Sequence, residues 1–364
     1  MQTIKTIIFF VLMLSLITIV HELGHLLAAK AFGVYCKEFS IGMGPKLFSK
    51  KFKETEFCIR AFLIGGFVSM AGEENKDDPD IEELNIPKER TLKGIAKWKQ
   101  FIVMFAGIFM NFVLSWLIYS LVIFNVGSYT VKSKPTINSI QENMPASESE
   151  LLVGDIIEEV SLENGMHIKP SDTNELSVFL SAYYGGNGPW TITVSRDGKE
   201  YTYHITPTYY ENEDRYIIGI TFSDSAVEVV DINVLNCFKY GFLYMLQMTK
   251  IIITSFVGLF KGIGLNSLSG PVGVYKVVEE VVSYGFAYYL ELLGLISINV
   301  AIFNSIPLPI FDGGRAFLLL IEAIIKKDIP KKVETIIFAV SIVLLLLLMA
   351  FVTYNDIAKI VVGG

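Results

Sequence analysis

Two histidines four residues apart flank a glutamate in the run His21-Glu22-Leu23-Gly24-His25. On a helix, positions i and i+4 share a face, so both imidazoles can reach one metal ion. Glu22, next to the first of them, is placed to act on a water activated by that metal. The chain has only 4 His in 364 residues, so the pattern does not follow from histidine abundance. It also lies inside an apolar run, about 4–29, where an ionisable group costs roughly 2.5–3.5 kcal/mol on insertion scales. Three such groups within five residues need a reason, and metal binding supplies one. A buried histidine pair or a proton relay is the bland alternative.

A hydrolytic zinc site takes three protein ligands and keeps one position open for water. His167 and His204 fall in a polar stretch and read as ordinary domain residues. The third ligand should then be a carboxylate at the depth of His21 and His25. Asp312 fits, as the one Asp in or at the end of the four longest apolar runs. It closes the stretch Asn304-Ser305-Ile306-Pro307-Leu308-Pro309-Ile310-Phe311-Asp312-Gly313-Gly314. Pro307 and Pro309 break a helix there, and Gly313-Gly314 permits close approach of another backbone.

The elements that must position these residues follow from composition. The chain is 52% hydrophobic and only 18% charged, with a mean hydropathy of +0.49. Charged residues make up about a quarter of an ordinary soluble protein. This balance excludes a two-domain soluble enzyme, a disordered chain and a nucleic-acid binder. The three cysteines (Cys36, Cys58, Cys237) are widely spaced and suggest neither a disulfide framework nor a cysteine metal site. Four runs reach the roughly 20 residues a bilayer span needs: about 4–29, 101–124, 287–311 (ending at Asp312) and 335–354. The expected fold is therefore an α-helical polytopic membrane protein with four transmembrane helices.

Residues 128–235 carry 17 acidic and 6 basic residues and alternate in β fashion at 190–194 and 201–205, as expected of an inserted α/β domain. The segment 30–100 holds 13 Lys/Arg, which places it in the cytoplasm and the acidic insert and both termini outside. Residues 236–262 are apolar enough to span. However, Lys239, Lys250 and Lys261 recur every 11 residues along one face, which reads as an amphipathic surface helix. Topology supports that choice. For His21, His25 and Asp312 to meet at one depth, their two spans must run the same way, so an odd number of crossings separates them.

With these motifs in hand, the sequence resembles the site-2 intramembrane zinc metalloproteases, and within them the bacterial RseP-like group with a single PDZ domain. HELGH matches the family's HExxH. NSIPLPIFDGG matches NxxPxPxLDG, with Phe311 in place of Leu. Residues 106–112 (AGIFMNF) match AGPxxNF with Ile108 in place of Pro. Gly154-Asp155-Ile156-Ile157 falls where a PDZ domain has GDxI. The resemblance implies one Zn²⁺ per chain held by His21, His25 and Asp312, with Glu22 as catalytic acid/base. Asn304 would help hold the substrate strand. Residues 55–72 would form a membrane-reentrant β-loop whose Gly65, Gly66 and Phe67 border the substrate; Pro307 and Pro309, also expected among the substrate-binding residues, would keep the local backbone irregular so that it borders a water-accessible cavity.

The implied organisation is a membrane core at 1–125, a PDZ-like domain at 126–225, amphipathic extracytoplasmic linker helices at 226–286 and a second membrane segment at 287–364. The implied setting is a bacterial cytoplasmic membrane. Expected partners are the lipid bilayer, an upstream site-1 protease and single-span substrates such as anti-sigma factors or signal-peptide remnants; no nucleic acid is expected. An ion-translocating or scaffold protein using the same polar residues is the competing reading.

Overall fold

The computed structural model describes residues 2–73, 85–131, 134–163, 165–182, 188–210, 215–222, 228–260, 270–327 and 329–362. In chain order the elements are α1 (Gln2–Ala31), β1 (Cys36–Phe52), β2 (Thr55–Met70), α2 (Lys97–Val126), β3 (Ser128–Val131), β4 (Ile137–Ile140), β5 (Ile156–Ser161), β6 (His167–Ile168) and α3 (Thr173–Ala182). They continue with β7 (Trp190–Arg196), β8 (Lys199–Ile205), β9 (Thr208–Tyr210), β10 (Arg215–Ile217), β11 (Ile220–Phe222), β12 (Glu228–Asp231), α4 (Asn236–Phe260), α5 (Pro271–Tyr284), α6 (Phe286–Asn304), α7 (Asp312–Ile325) and α8 (Lys331–Val362). The chain divides into two compact units, 1–122 with 269–364, and 123–268.

In the first unit α1, α2 and α6 pack around shared apolar faces. Met13 and Ile17 of α1 meet Ile118 of α2 and Leu292 and Leu293 of α6. Further along α1, a side chain on Gly24 would strike the Ala106 carbonyl of α2. Thus α1 and α2 are antiparallel. Along α6, Gly294 lies against Tyr119, and Ser297 Oγ donates to the Asn111 carbonyl at 2.8 Å, so α6 also runs opposite to α2. Helices α1 and α6 therefore run the same way. Tyr289 Oη, near the start of α6, donates to Phe9 O near the start of α1 at 3.0 Å. Helix α5, read from sequence as part of a linker, seats Val278 and Val282 in this same core.

The third apolar run is not one helix. Helix α6 stops at Asn304, residues 305–311 are irregular, and Asp312 is the first residue of α7 rather than the end of a span. Pro307 and Pro309 have no N–H to donate and push Ile306 and Leu308 out of the helical region. Short bonds close the break, Leu308 N to Ile306 O and Phe311 N to Leu308 O, both at 2.8 Å. The glycines admit the turn: a Cβ on Gly313 would lie 2.4 Å from Ser305 C, and one on Gly314 2.0 Å from Leu308 C. The backbone they approach is the preceding segment of the same chain.

The β-loop is longer than 55–72, because β1 begins at Cys36. Phe39 pairs with both Val68 and Phe57, so residues 36–41 run between 66–70 and 56–59. Gly42 and Gly44, both at positive φ, let the strand bend back.

In the second unit β3 and β12 pair, joining the two ends of the insert. Between them a four-stranded antiparallel sheet, β6-β5-β7-β8, carries a core of Ile157, Val160, Trp190, Ile192 and Val194 packed on Leu176 and Phe179 of α3. Arg196 Nε and Nη2 grip the buried Asp155 at 2.6 and 2.7 Å. Burial alone would raise the Asp155 carboxyl, but Arg196 and the Leu152 N–H hold it below the usual carboxylate range. Helix α4 belongs to this unit: its Lys250 pairs with the buried Glu175 of α3, and Gln247 donates to Asp172. Glu175 is likewise held low, with Lys250 and Ser171 outweighing burial. Lys261, the third of the 11-residue series, lies outside the described residues.

Candidate metal centre

His21 and His25 sit one turn apart on α1, both buried, and Asp312 reaches them from the start of α7. His21 Nε2 lies 2.8 Å and His25 Nε2 3.2 Å from Asp312 Oδ2. The two Nε2 atoms are 3.2 Å apart. Three donor atoms of the right kind thus converge on one point. A tetrahedral zinc ion with ligands at 2.0–2.1 Å would hold them about 3.3 Å apart, so the donor set and its spacing fit that ion. As the first residue of α7, Asp312 also sits in the favourable field of the helix N-terminus.

The supports come from α2. His25 Nδ1 lies 2.8 Å from the Val103 carbonyl; with Nδ1–H donating there, Nε2 presents a lone pair. Asn111 Nδ2 lies 3.2 Å from His21 Nδ1. Gly107 leaves room for both rings, since a Cβ there would lie 2.4 Å from His25 Nε2 and 2.8 Å from His21 Cε1. Neither Asn111 nor Gly107 received a role from sequence. The only signal was their presence in the AGIFMNF stretch.

Glu22 lies within electrostatic range of His21, His25 and Asp312. Gly66 faces it: a Cβ on Gly66 would sit 3.6 Å from Glu22 Cγ and 2.7 Å from Ser40 O. Gly65, at φ +85°, lies against Met43, and the Phe67 ring lies beneath the Arg60 guanidinium. Among the described residues, 66–70 pair on one side only, with 36–41. Asn304 ends α6, and its carbonyl lies against Gly313 beside Asp312. Pro309 is buried and Pro307 exposed; no contact of either with the His-Asp cluster is seen.

A second acidic group, Glu38, Glu56 and Cys58, also gathers within ligand range. It already holds two cations. Lys46 reaches Glu38 and Glu56 at 2.8 and 2.7 Å, and Arg60 reaches Glu38 at 2.6 Å, so its role is to brace the hairpin.

Among the described residues five helices are long and apolar enough to cross a membrane: Thr3–Ala31, Lys97–Val126, Asn236–Leu259, Phe286–Asn304 and Lys332–Tyr354. Five such helices in one chain, together with two histidines and an aspartate gathered within 3.2 Å in the first unit, are the features of a multi-pass membrane metallopeptidase. The comparisons with known proteins agree. The Peptidase family M50 model matches residues 9–348, and the chain belongs to that family. It is 30% identical to the regulator of sigma-W protease RasP of Bacillus subtilis, over 98% of this chain and 99% of RasP. It is 33% identical to a candidate zinc metalloprotease of Clostridium perfringens, over 96% of this chain and 98% of that one. A solved PDZ domain from Listeria monocytogenes aligns at 22% identity with 26% of this chain and 90% of its own, at a TM-score of 0.20, too slight a likeness to define a fold. The protein is thus a zinc metalloprotease of a membrane family, with zinc as its cofactor.

Proposed function

We propose that this protein hydrolyses peptide bonds within the transmembrane segments of single-span membrane proteins, with zinc held by His21, His25 and Asp312. The observation that carries the reading is the convergence of two imidazole nitrogens and one carboxylate oxygen within 3.2 Å, contributed by two separate helices. Zinc bound there supplies Lewis acidity toward water and toward the scissile carbonyl. Glu22 takes the proton of the attacking water and delivers it to the leaving amine. A helical substrate must first unwind, because its carbonyls are hydrogen-bonded. The one-sided strand at 66–70, beside Glu22, offers backbone groups for the opened segment by β-augmentation, while Pro307 and Pro309 keep the backbone between Asn304 and Asp312 irregular.

The parallel course of α1 and α6 supports four spans, α1, α2, α6 and α8. If α4 crossed alone, α6 would begin on the wrong side, and α5, with 14 residues, is too short to bring the chain back. The bond from Lys250 to Glu175 gives α4 another task, bracing the insert. The basic 30–100 segment supports a cytoplasmic-side centre, with the acidic PDZ-like insert and both termini outside. The RasP relationship supports anti-sigma factors as a substrate class, delivered after an outside cut by a site-1 protease; signal-peptide remnants present the same chemistry.

The test is cleavage of a panel of tagged single-span peptides by the purified full chain in detergent. The wild type should cut inside the apolar segment, and Glu22→Gln or a zinc chelator should abolish cutting. Cleavage that survives both would refute the proposal.

A further inference from the structure

We propose that Asn111 is a positioning residue that sets the tautomer of His21 for metal binding, an inference that rests on reading His21, His25 and Asp312 as the ligands. Asn111 lies in the middle of α2, with 0% exposure. An amide buried in an apolar helix needs partners for both ends. Its Nδ2 faces His21 Nδ1 at 3.2 Å, while its Oδ1 has no hydrogen-bond partner. Its backbone is fixed from the far side by Ser297 Oγ on α6, 2.8 Å from the Asn111 carbonyl.

The two orientations of the amide impose different protonation patterns on the ring. With Nδ2 toward His21, the amide donates to the Nδ1 lone pair. The ring proton is then on Nε2, where it donates to Asp312 Oδ2. That arrangement is self-consistent without a cation, but it leaves Nε2 with no lone pair for one. With the amide turned by 180°, Oδ1 accepts from Nδ1–H, Nδ2 takes the position the oxygen held, and Nε2 turns a lone pair toward the point shared with His25 Nε2 and Asp312 Oδ2. His25 is held in this same state by the Val103 carbonyl, 2.8 Å from its Nδ1. Asn111 does for the first imidazole what a backbone carbonyl does for the second, and it can do so only through Oδ1.

The experiment measures Zn²⁺ affinity of the purified full chain in detergent by competition with a chromophoric chelator. Asn111→Leu keeps the size and removes the acceptor, with Asn111→Ala as the smaller replacement should leucine not fit. Either should weaken zinc binding roughly 10–100-fold, the usual range for losing a partner behind a metal ligand. Asn111→Asp, whose oxygen accepts the same proton, should bind as the wild type does, a rescue that a purely packing role would not produce. The inference is overturned if the leucine or alanine variant binds zinc as tightly as the wild type, or if the aspartate variant is as weak as the leucine variant. A wild-type chain that binds no zinc would sink the ligand assignment itself.

Discussion

Gly107→Ala adds one methyl group to α2 and should disable the metal centre. The new Cβ would lie 2.4 Å from His25 Nε2 and 2.8 Å from His21 Cε1 and His25 Cε1, where ordinary contact begins at 3.4 Å. The two helices must part, or the imidazoles must rotate, by about 1 Å. Metal–ligand distances tolerate only about ±0.2 Å, so the three donors can no longer share one cation. Overpacking of this kind costs roughly 1–3 kcal/mol of stability, which a large membrane bundle absorbs. The loss in zinc affinity should reach or pass the upper end of the roughly 10–100-fold seen when a ligand's support is removed. The assay is chelator competition on the purified variant, with near-UV circular dichroism to show that the helices remain packed. A folded Gly107→Ala protein that binds zinc like the wild type would show that α2 does not wall the site.

Three further outcomes follow. Glu22→Gln should retain its zinc while peptide cleavage falls by about 10²–10⁴, the usual worth of a general acid/base; loss of zinc together with activity would instead make Glu22 a ligand, as metal analysis would reveal. Acid should loosen the insert: Asp155 and Glu175 sit below their ordinary values of 3.8 and 4.5 when folded, so their contribution is complete above those values and is lost as pH falls beneath them. Limited proteolysis between pH 6 and 3 should therefore cut 123–268 progressively faster, and resistance that rises with acid would reverse the sign. If the insert gates access by size, deleting residues 128–222 should make a full-length, uncut substrate cleavable, and unchanged selectivity would leave gating without support.

The chemistry was more legible in the sequence than the architecture around it. HELGH needs only helical periodicity to bring His21 and His25 together, and an aspartate closing an apolar run beside two prolines is the sequence's candidate for the third donor. What sequence could not give depends on how helices cross. Gly107 and Asn111 are two ordinary letters in an apolar run, and they matter because α2 meets α1 where the imidazoles are. The prolines mark a break in the third apolar run, but Ile306, Leu308 and Ile310 keep the run apolar up to Asp312, so the span reads as ending there although α6 stops at Asn304. The start of the hairpin at Cys36 was obscured because Gly42, Gly44 and the Lys-rich stretch 46–53 read as loop, although the glycines are what allow one strand to fold back on its neighbour. Helix α4 is apolar enough to span; the spacing of its lysines argues for another place, and its tie to Glu175 and the shared direction of α1 and α6 add to that argument.

The most direct test of the metal centre is zinc X-ray absorption on the purified full chain. The structure predicts a first shell made only of nitrogen and oxygen at about 2.0–2.1 Å, with the outer scattering of two imidazoles. A shell at about 2.3 Å, the signature of thiolate sulfur, would put the ion on a cysteine and contradict the assignment to His21, His25 and Asp312.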